Sequence, residues 1–242
     1  MDIAYLMYII GGILIIPAII FAIVAQVKVS SAFNRYSVIS SSKGMTAAQL
    51  AEKLLYENGC SHVRVEQSKH GHLSDHYDPR KKVVRLSSEV YNSNSLAAIG
   101  IAAHEVGHAI QHNTKYAPLM VRQVVIKSTS LVNKVLLPLV FFGLILAMFA
   151  LVTGDALYYL IIAACALYAI SFVINLITLP TEFNASARAK KLLREILYDE
   201  EEKRGVSKVL TAAAMTYVAA TIISLAYLLR FLGLAMMMSR RR

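Results

Sequence analysis

The segment Ala102-Ala103-His104-Glu105-Val106-Gly107-His108-Ala109-Ile110 carries two imidazoles and a carboxylate at a spacing suited to metal-assisted hydrolysis. On a helix, His104 and His108 project from one face about one turn apart. One ring nitrogen from each can then reach a single tetrahedral zinc at about 2.0–2.1 Å. Glu105 leaves the helix at a different angle, where its carboxylate can accept a proton from a metal-activated water and return it to a leaving amine. Gly107 puts no side chain beside the second histidine. The plainer reading is a buried helix that happens to carry two histidines. Its small, apolar flanks (Ile99, Ala102, Ala103, Ala109 and Ile110) weigh against that, because polar groups in such surroundings need partners.

A catalytic zinc takes a third protein ligand and keeps one position for water. Four residues compete for the role. His112 lies one turn beyond His108, so the helix would have to curl around the metal for all three rings to bind. His76 and Asp78, in Asp75-His76-Tyr77-Asp78-Pro79-Arg80, serve equally well as turn formers. Glu182 opens a polar segment directly after an apolar run, where an acid is also favoured simply by the dipole of a helix start. A tetrahedral oxyanion needs a further donor, for which His76, Tyr77, Arg188 and Tyr217 are candidates. The residues alone leave both choices open.

The elements around this motif are those of a membrane protein. Of 242 residues, 57% are hydrophobic and 17% charged, well outside the usual soluble composition. The net charge of +10 does not point to nucleic acid, because the basic residues flank long apolar runs and no aromatic-bearing soluble module carries them. Residues 3–27 are long enough to cross about 30 Å of hydrocarbon. With Asp2 and no Lys or Arg ahead of the run, and no clear cleavage site after it, they read as a retained anchor, with Pro17 as a kink point. Residues 28–134 form a soluble α+β segment: a helix over Met45–Asn58 ending before Gly59, strands near His62–Glu66 and Lys82–Leu86 with a turn-rich piece between, and the motif helix capped by Ser93 or Asn94. An exposed strand edge there can take an extended peptide. Residues 135–152 and 156–179 form a membrane hairpin, and 180–208 hold a helix capped by Thr181 followed by the acidic loop Asp199–Glu202. Residues 209–238 form a last apolar run interrupted by Arg230; either it crosses completely, or it ends near Leu229 with the remainder along the interface. Cys60 and Cys165 form neither a disulfide framework nor a zinc-cysteine pattern.

Three stretches carry a family resemblance: A-A-H-E-V-G-H-A-I-Q-H, L-S-D-H-Y-D-P-R-K-K-V-V-R-L-S-S-E-V-Y and L-P-T-E-F-N-A-S-A-R-A. Over nearly its whole length the chain resembles the YugP-type neutral zinc metallopeptidases of bacterial membranes. The order of motif helix, membrane hairpin and Glu-led helix is similar to the HtpX-like arrangement. The resemblance implies a membrane gluzincin with one zinc ion per chain, held by His104, His108 and Glu182, and Glu105 as general base. That family commonly has Asp where this chain has Asn184, and HtpX-like enzymes have Asp where it has Ser186. An asparagine orienting a ligand histidine still accepts a hydrogen bond but raises imidazole basicity less than a carboxylate.

The expected fold is mainly α and membrane-integral, about four transmembrane helices with a small α+β zinc-peptidase domain at the membrane surface. The expected partners are the lipid bilayer and a peptide or membrane-protein substrate, with no nucleic acid; a homo-oligomer stays open. The rival readings are a catalytically inactive zinc-stabilised scaffold, for which Glu105 would have no use, and a transporter. The transporter fits poorly because Arg230 is the one ionisable residue within the spans. Fourteen of the 25 basic residues lie from Lys28 to Lys134, seven from Arg188 to Lys208 and four from Arg230 onward, with none in the turn at Thr153–Asp155. Basic loops stay inside, which places the catalytic face in the cytoplasm and the protein in the inner (plasma) membrane.

Overall fold

The structure, a computed structural model, describes residues 2–69, 71, 74–125, 138, 141–143, 145 and 154–240. It is mainly helical. The elements are α1 (Ile3–Ser37), α2 (Ala47–Glu57), β1 (Arg64–Gln67), β2 (His76–Asp78), β3 (Val83–Leu86), α3 (Ser88–Tyr91), α4 (Leu96–Asn113), α5 (Gly154–Ile196) and α6 (Glu200–Ser239). They fall into two packing units. One comprises Met1–Ile23, Val121–Thr178 and Tyr217–Arg242; the other comprises Val24–Met120 and Leu179–Thr216.

In the first unit, α1, α5 and α6 are each long and apolar enough to cross a membrane. Ile13, Ile16, Ile20 and Ile23 of α1 stay exposed, as side chains facing lipid would. The buried positions of that helix here are small and seven apart: Ala4, Gly11 and Ala18. Against them runs α6 with Ala219, Ala226 and Gly233 at the same spacing. A Cβ on Gly11 would stand 2.7 Å from the Ala226 carbonyl oxygen, and one on Gly233 would stand 2.6 Å from the Ala4 carbonyl oxygen. Absent side chains let the two backbones touch, which is how helices associate where lipid removes the hydrophobic drive. The pairing is antiparallel, and it brings Arg240 onto Asp2. Arg230 lies within the helix. Its guanidinium lies over the Tyr8 ring at 4.5 Å and donates to the Tyr8 hydroxyl, and α6 runs on to Ser239. Tyr168 of α5 stacks on Tyr227, and Asn175 donates to the Ala220 carbonyl, so α5 is also antiparallel to α6. The expected span 135–152 lies outside the described residues apart from positions 138, 141–143 and 145, and the described helices long enough to span number three.

The second unit is built around α4. Thr46 caps α2 through a reciprocal capping box with Gln49. Ala47, Leu50, Ala51, Leu54 and Leu55 make its buried stripe. Gly59, at φ +69°, provides the left-handed turn that carries the chain out of α2 toward β1. The sheet has order β1-β3-β2, with β1 parallel and β2 antiparallel to β3. The turn-rich piece expected around His76 is therefore partly a strand, because His76, Tyr77 and Asp78 pair with Arg85, Val84 and Val83. Neither Ser93 nor Asn94 caps α4. Ser95 does, accepting from the Ala98 amide, while Ser93 donates to the Ser95 hydroxyl. Leu50, Leu54, Leu86, Leu96, Val106 and Leu193 meet in one core; each such side chain contributes about 1.5–3 kcal/mol on burial.

Two helix boundaries differ from those expected. Thr181 is no cap, because α5 continues through Pro180 from Gly154 to Ile196. The proline costs one helical hydrogen bond, but Glu182, Ala185, Ser186, Ala189 and Leu193 form one buried stripe beyond it that holds the helix on course. The acidic run is not a loop either. Glu200, Glu201 and Glu202 form the first turn of α6, where the helix dipole favours acids. Glu202 is buried and accepts from the backbone amide and hydroxyl of Ser42 at 2.6 and 3.0 Å.

Candidate metal centre

His104 and His108 come from the middle of α4, and Glu182 comes from the part of α5 that follows Pro180. Glu182 Oε2 lies 3.3 Å from His104 Nε2 and 3.6 Å from His108 Nε2. The two rings meet edge to face, with centroids 4.8 Å apart. One ligand atom from each of the three residues falls within 4.8 Å of the other two. Atoms bonded at about 2.0–2.1 Å to one tetrahedral ion stand about 3.4 Å apart, so the spacing suits a zinc ion. Two imidazoles and one carboxylate also match the donor chemistry of a catalytic zinc with one position left for water.

Helix contact sets this geometry. A Cβ on Gly107 would stand 2.7 Å from the Ala185 carbonyl oxygen, so α4 and α5 approach at a glycine placed between the two histidines and the helix turn that follows Glu182. Successive turns of α5 then hold both nitrogens of one ring: Glu182 faces His104 Nε2, and the Ser186 hydroxyl lies 3.2 Å from His104 Nδ1. His108 Nδ1 lies 2.9 Å from Gln111 Oε1. The Gln111 amide nitrogen donates to the Thr181 carbonyl at 2.8 Å and to Asn184 Oδ1 at 3.0 Å. With both amide protons so used, Oε1 must face His108, whose Nδ1 carries the proton and leaves Nε2 free for a metal. Asn184 Oδ1 also accepts from Arg188 Nε at 2.8 Å.

Burial alone would raise the Glu182 carboxyl, but its hydrogen bonds and charge contacts with His104 and His108 hold it well below the usual carboxylate range. Burial would lower His108, and the Glu182 hydrogen bond with the nearby charge of Glu105 outweighs it, raising the ring above an ordinary histidine. Glu105 is buried on α4, directly after His104. Asp75 accepts from the Ser87 amide and hydroxyl, and burial pushes its carboxyl up, with the Glu105 charge adding to the effect.

The other candidates sit elsewhere. His112 is bonded through Nδ1 to the Tyr77 hydroxyl at 2.8 Å and does not join the three-residue group. Burial, with charge from Cys60 and Asp78, pushes the Tyr77 hydroxyl up to about 12. His76 is held by the Ser74 carbonyl and faces Arg85, which also pairs with Asp78. Tyr217 belongs to the other packing unit. Asn184 Oδ1 bonds Gln111 and Arg188, and among the described residues the orienting hydrogen bonds come from Ser186 on His104 and from Gln111 on His108. Gln111 had no role in the reading of the sequence. The signal was there, since a glutamine three residues after His108 on an apolar helix face has to spend its amide on something inside.

Residues 12–236 match the family described as "Putative neutral zinc metallopeptidase". The chain belongs to this family. It is also 44% identical, over 208 residues, to a protein of Bacillus subtilis (strain 168) named "Putative membrane protease YugP", a match covering 86% of this chain and 88% of that protein. No solved structure matches. Membership of a zinc metallopeptidase family implies zinc, and His104, His108 and Glu182 form a group able to hold it.

Proposed function

We propose that this protein is a membrane-bound zinc endopeptidase in which His104, His108 and Glu182 hold one zinc ion and Glu105 is the general base. The observation that carries the reading is the single oxygen, Glu182 Oε2, within 3.6 Å of both histidine Nε2 atoms. A zinc ion held there supplies a Lewis acid that polarises a peptide carbonyl and acidifies water. Glu105 takes the proton from the attacking water and hands it to the departing amine. Gln111 keeps the His108 ring in the tautomer that presents Nε2, and the Ser186 hydroxyl can accept from His104 Nδ1 so that its Nε2 is presented too. A scaffold that used zinc only for stability would have no need of an acid beside the first ligand.

The substrate is a peptide or membrane-protein segment at the surface of the inner (plasma) membrane, on its cytoplasmic face. The basic residues from Lys28 to Lys134 and from Arg188 to Lys208, which flank the apolar runs, support this placement because basic loops stay inside. The proposed topology has four spans. α1 and α5 both run antiparallel to α6, so they are parallel to each other. A chain that crosses twice in the same direction has to return between the two crossings, and the apolar run 135–152 is the stretch long enough to do it.

The test is proteolysis of an unstructured protein such as casein by the purified enzyme and its Glu105→Gln variant. The variant is expected to keep its zinc and lose turnover by orders of magnitude. Near-parent turnover in the variant would remove Glu105 from the role of base.

A further inference from the structure

Gln111 is fully buried, and its three hydrogen bonds go to three different parts of the candidate centre. Its oxygen accepts from His108 Nδ1 on its own helix. Its nitrogen holds the Thr181 carbonyl, one residue before Glu182, and the Asn184 side chain, one turn before Arg188. A leucine or methionine of similar volume would fill the same space with no polar group to satisfy. The glutamine spends both amide protons and its oxygen on a proposed ligand and on groups that border the ligands.

We infer that Gln111 is the positioning residue of the centre, a buried amide that fixes the His108 tautomer and ties the helix bearing Glu182 to the helix bearing both histidines, with Asn184 and Arg188 as the outer end of the same relay. The inference rests on the reading of His104, His108 and Glu182 as zinc ligands. An imidazole whose Nδ1–H is accepted by an oriented oxygen is the better ligand at Nε2, and loss of such an outer partner lowers metal affinity by about 10–100-fold. The amide has a consequence that a merely space-filling residue lacks. Because Asn184 Oδ1 accepts from both Gln111 and Arg188, a carboxylate in its place draws more strongly on the Gln111 amide. Hydrogen bonds in a chain polarise one another, so part of the gain from that carboxylate, beyond what its bare charge supplies through space, reaches His108 through Gln111.

The experiment measures the rate at which the purified full-length protein releases zinc to a strong chelator, for the parent, Gln111→Leu, Asn184→Asp and the double variant. The visible spectrum of each protein loaded with Co²⁺ is a second readout. Gln111→Leu is expected to release zinc about 10–100-fold faster and to alter the Co²⁺ spectrum. Asn184→Asp is expected to release it more slowly than the parent, and the same substitution made in the Gln111→Leu background to slow release by a clearly smaller factor. Parent-like release from Gln111→Leu, or an Asn184→Asp gain as large in the Gln111→Leu background as in the parent, would overturn the inference. If Gln111→Leu does not fold, Asn184→Asp and Asn184→Ala carry the test. The aspartate should slow release and the alanine speed it, and equal rates would overturn the relay. A parent that holds no zinc would overturn the reading of the site itself; a parent that holds zinc beside a Gln111→Leu variant with unchanged release would overturn the inference alone.

Discussion

Gly107 lies so close to Ala185 that a Cβ on the glycine would stand 2.7 Å from the alanine's carbonyl oxygen and 3.3 Å from its Cα. The atoms it would meet are backbone, so no side-chain rotation relieves the contact. One hydrogen at one position therefore sets the distance between the helix with both histidines and the helix with Glu182.

Gly107→Ala should push α5 away from α4 even though alanine is the better helix former. Overpacking of this kind costs about 1–3 kcal/mol, against about 1 kcal/mol gained in helix propensity. The loss should appear most clearly as reduced bound zinc. A variant with parent-like melting temperature and zinc content would show that the two backbones have room to separate.

Glu202 and Glu201 are neighbours with different fates. Glu202 is buried on the Ser42 amide and hydroxyl, whereas Glu201 is exposed. Glu202→Ala removes two hydrogen bonds to a buried charged acceptor and should cost about 1–3 kcal/mol. Glu201→Ala should stay within about 0.5 kcal/mol of the parent. Denaturant titration of both variants decides it, and equal effects would contradict the contact.

Burial, followed by the positive charges of Lys82 and His62, holds the His112 ring below an ordinary histidine. The unfolded chain therefore binds that proton more readily than the folded one, and stability falls as pH drops through about 6.5. In metal-free protein, the fall in melting temperature from about pH 7.5 to about pH 5.5 should be smaller for His112→Gln than for the parent. An identical fall in the two proteins would remove His112 from the account.

Asp2 pairs with Arg240, and in the proposed four-span topology both should lie on the side opposite the catalytic face. Single cysteines at Ser41, Thr153 and Ser239, in a chain lacking Cys60 and Cys165, should report it. An impermeant maleimide applied to intact cells should label the Thr153 and Ser239 sites and spare the Ser41 site. Labelling at Ser41 with protection at the other two would invert the topology.

The candidate centre was legible where chemistry is periodic. His104 and His108 declare themselves by a four-residue spacing, and Glu105 by its place between them. Glu182 needed the family resemblance, because seventy-eight positions separate it from His104 and no local pattern records that helix contact. The errors have a common physical cause. Pro180 reads as a helix breaker and Glu200–Glu202 as a loop by local rule, and both lie inside helices because tertiary contacts override the rule: the buried stripe from Glu182 to Leu193 and the Ser42 contact. Strand β2 was missed because three residues are too few to show an alternation. Gln111 was passed over because an uncharged amide carries no pattern of its own.

The central claim is that Glu182 completes a zinc centre begun by His104 and His108, and metal stoichiometry tests it most directly. Purified parent protein should carry about one zinc per chain. Glu182→Ala, which removes the oxygen facing both Nε2 atoms, should carry far less, whereas His112→Ala, whose ring is engaged with Tyr77, should match the parent. A Glu182→Ala protein that is folded and holds its full zinc would contradict the account.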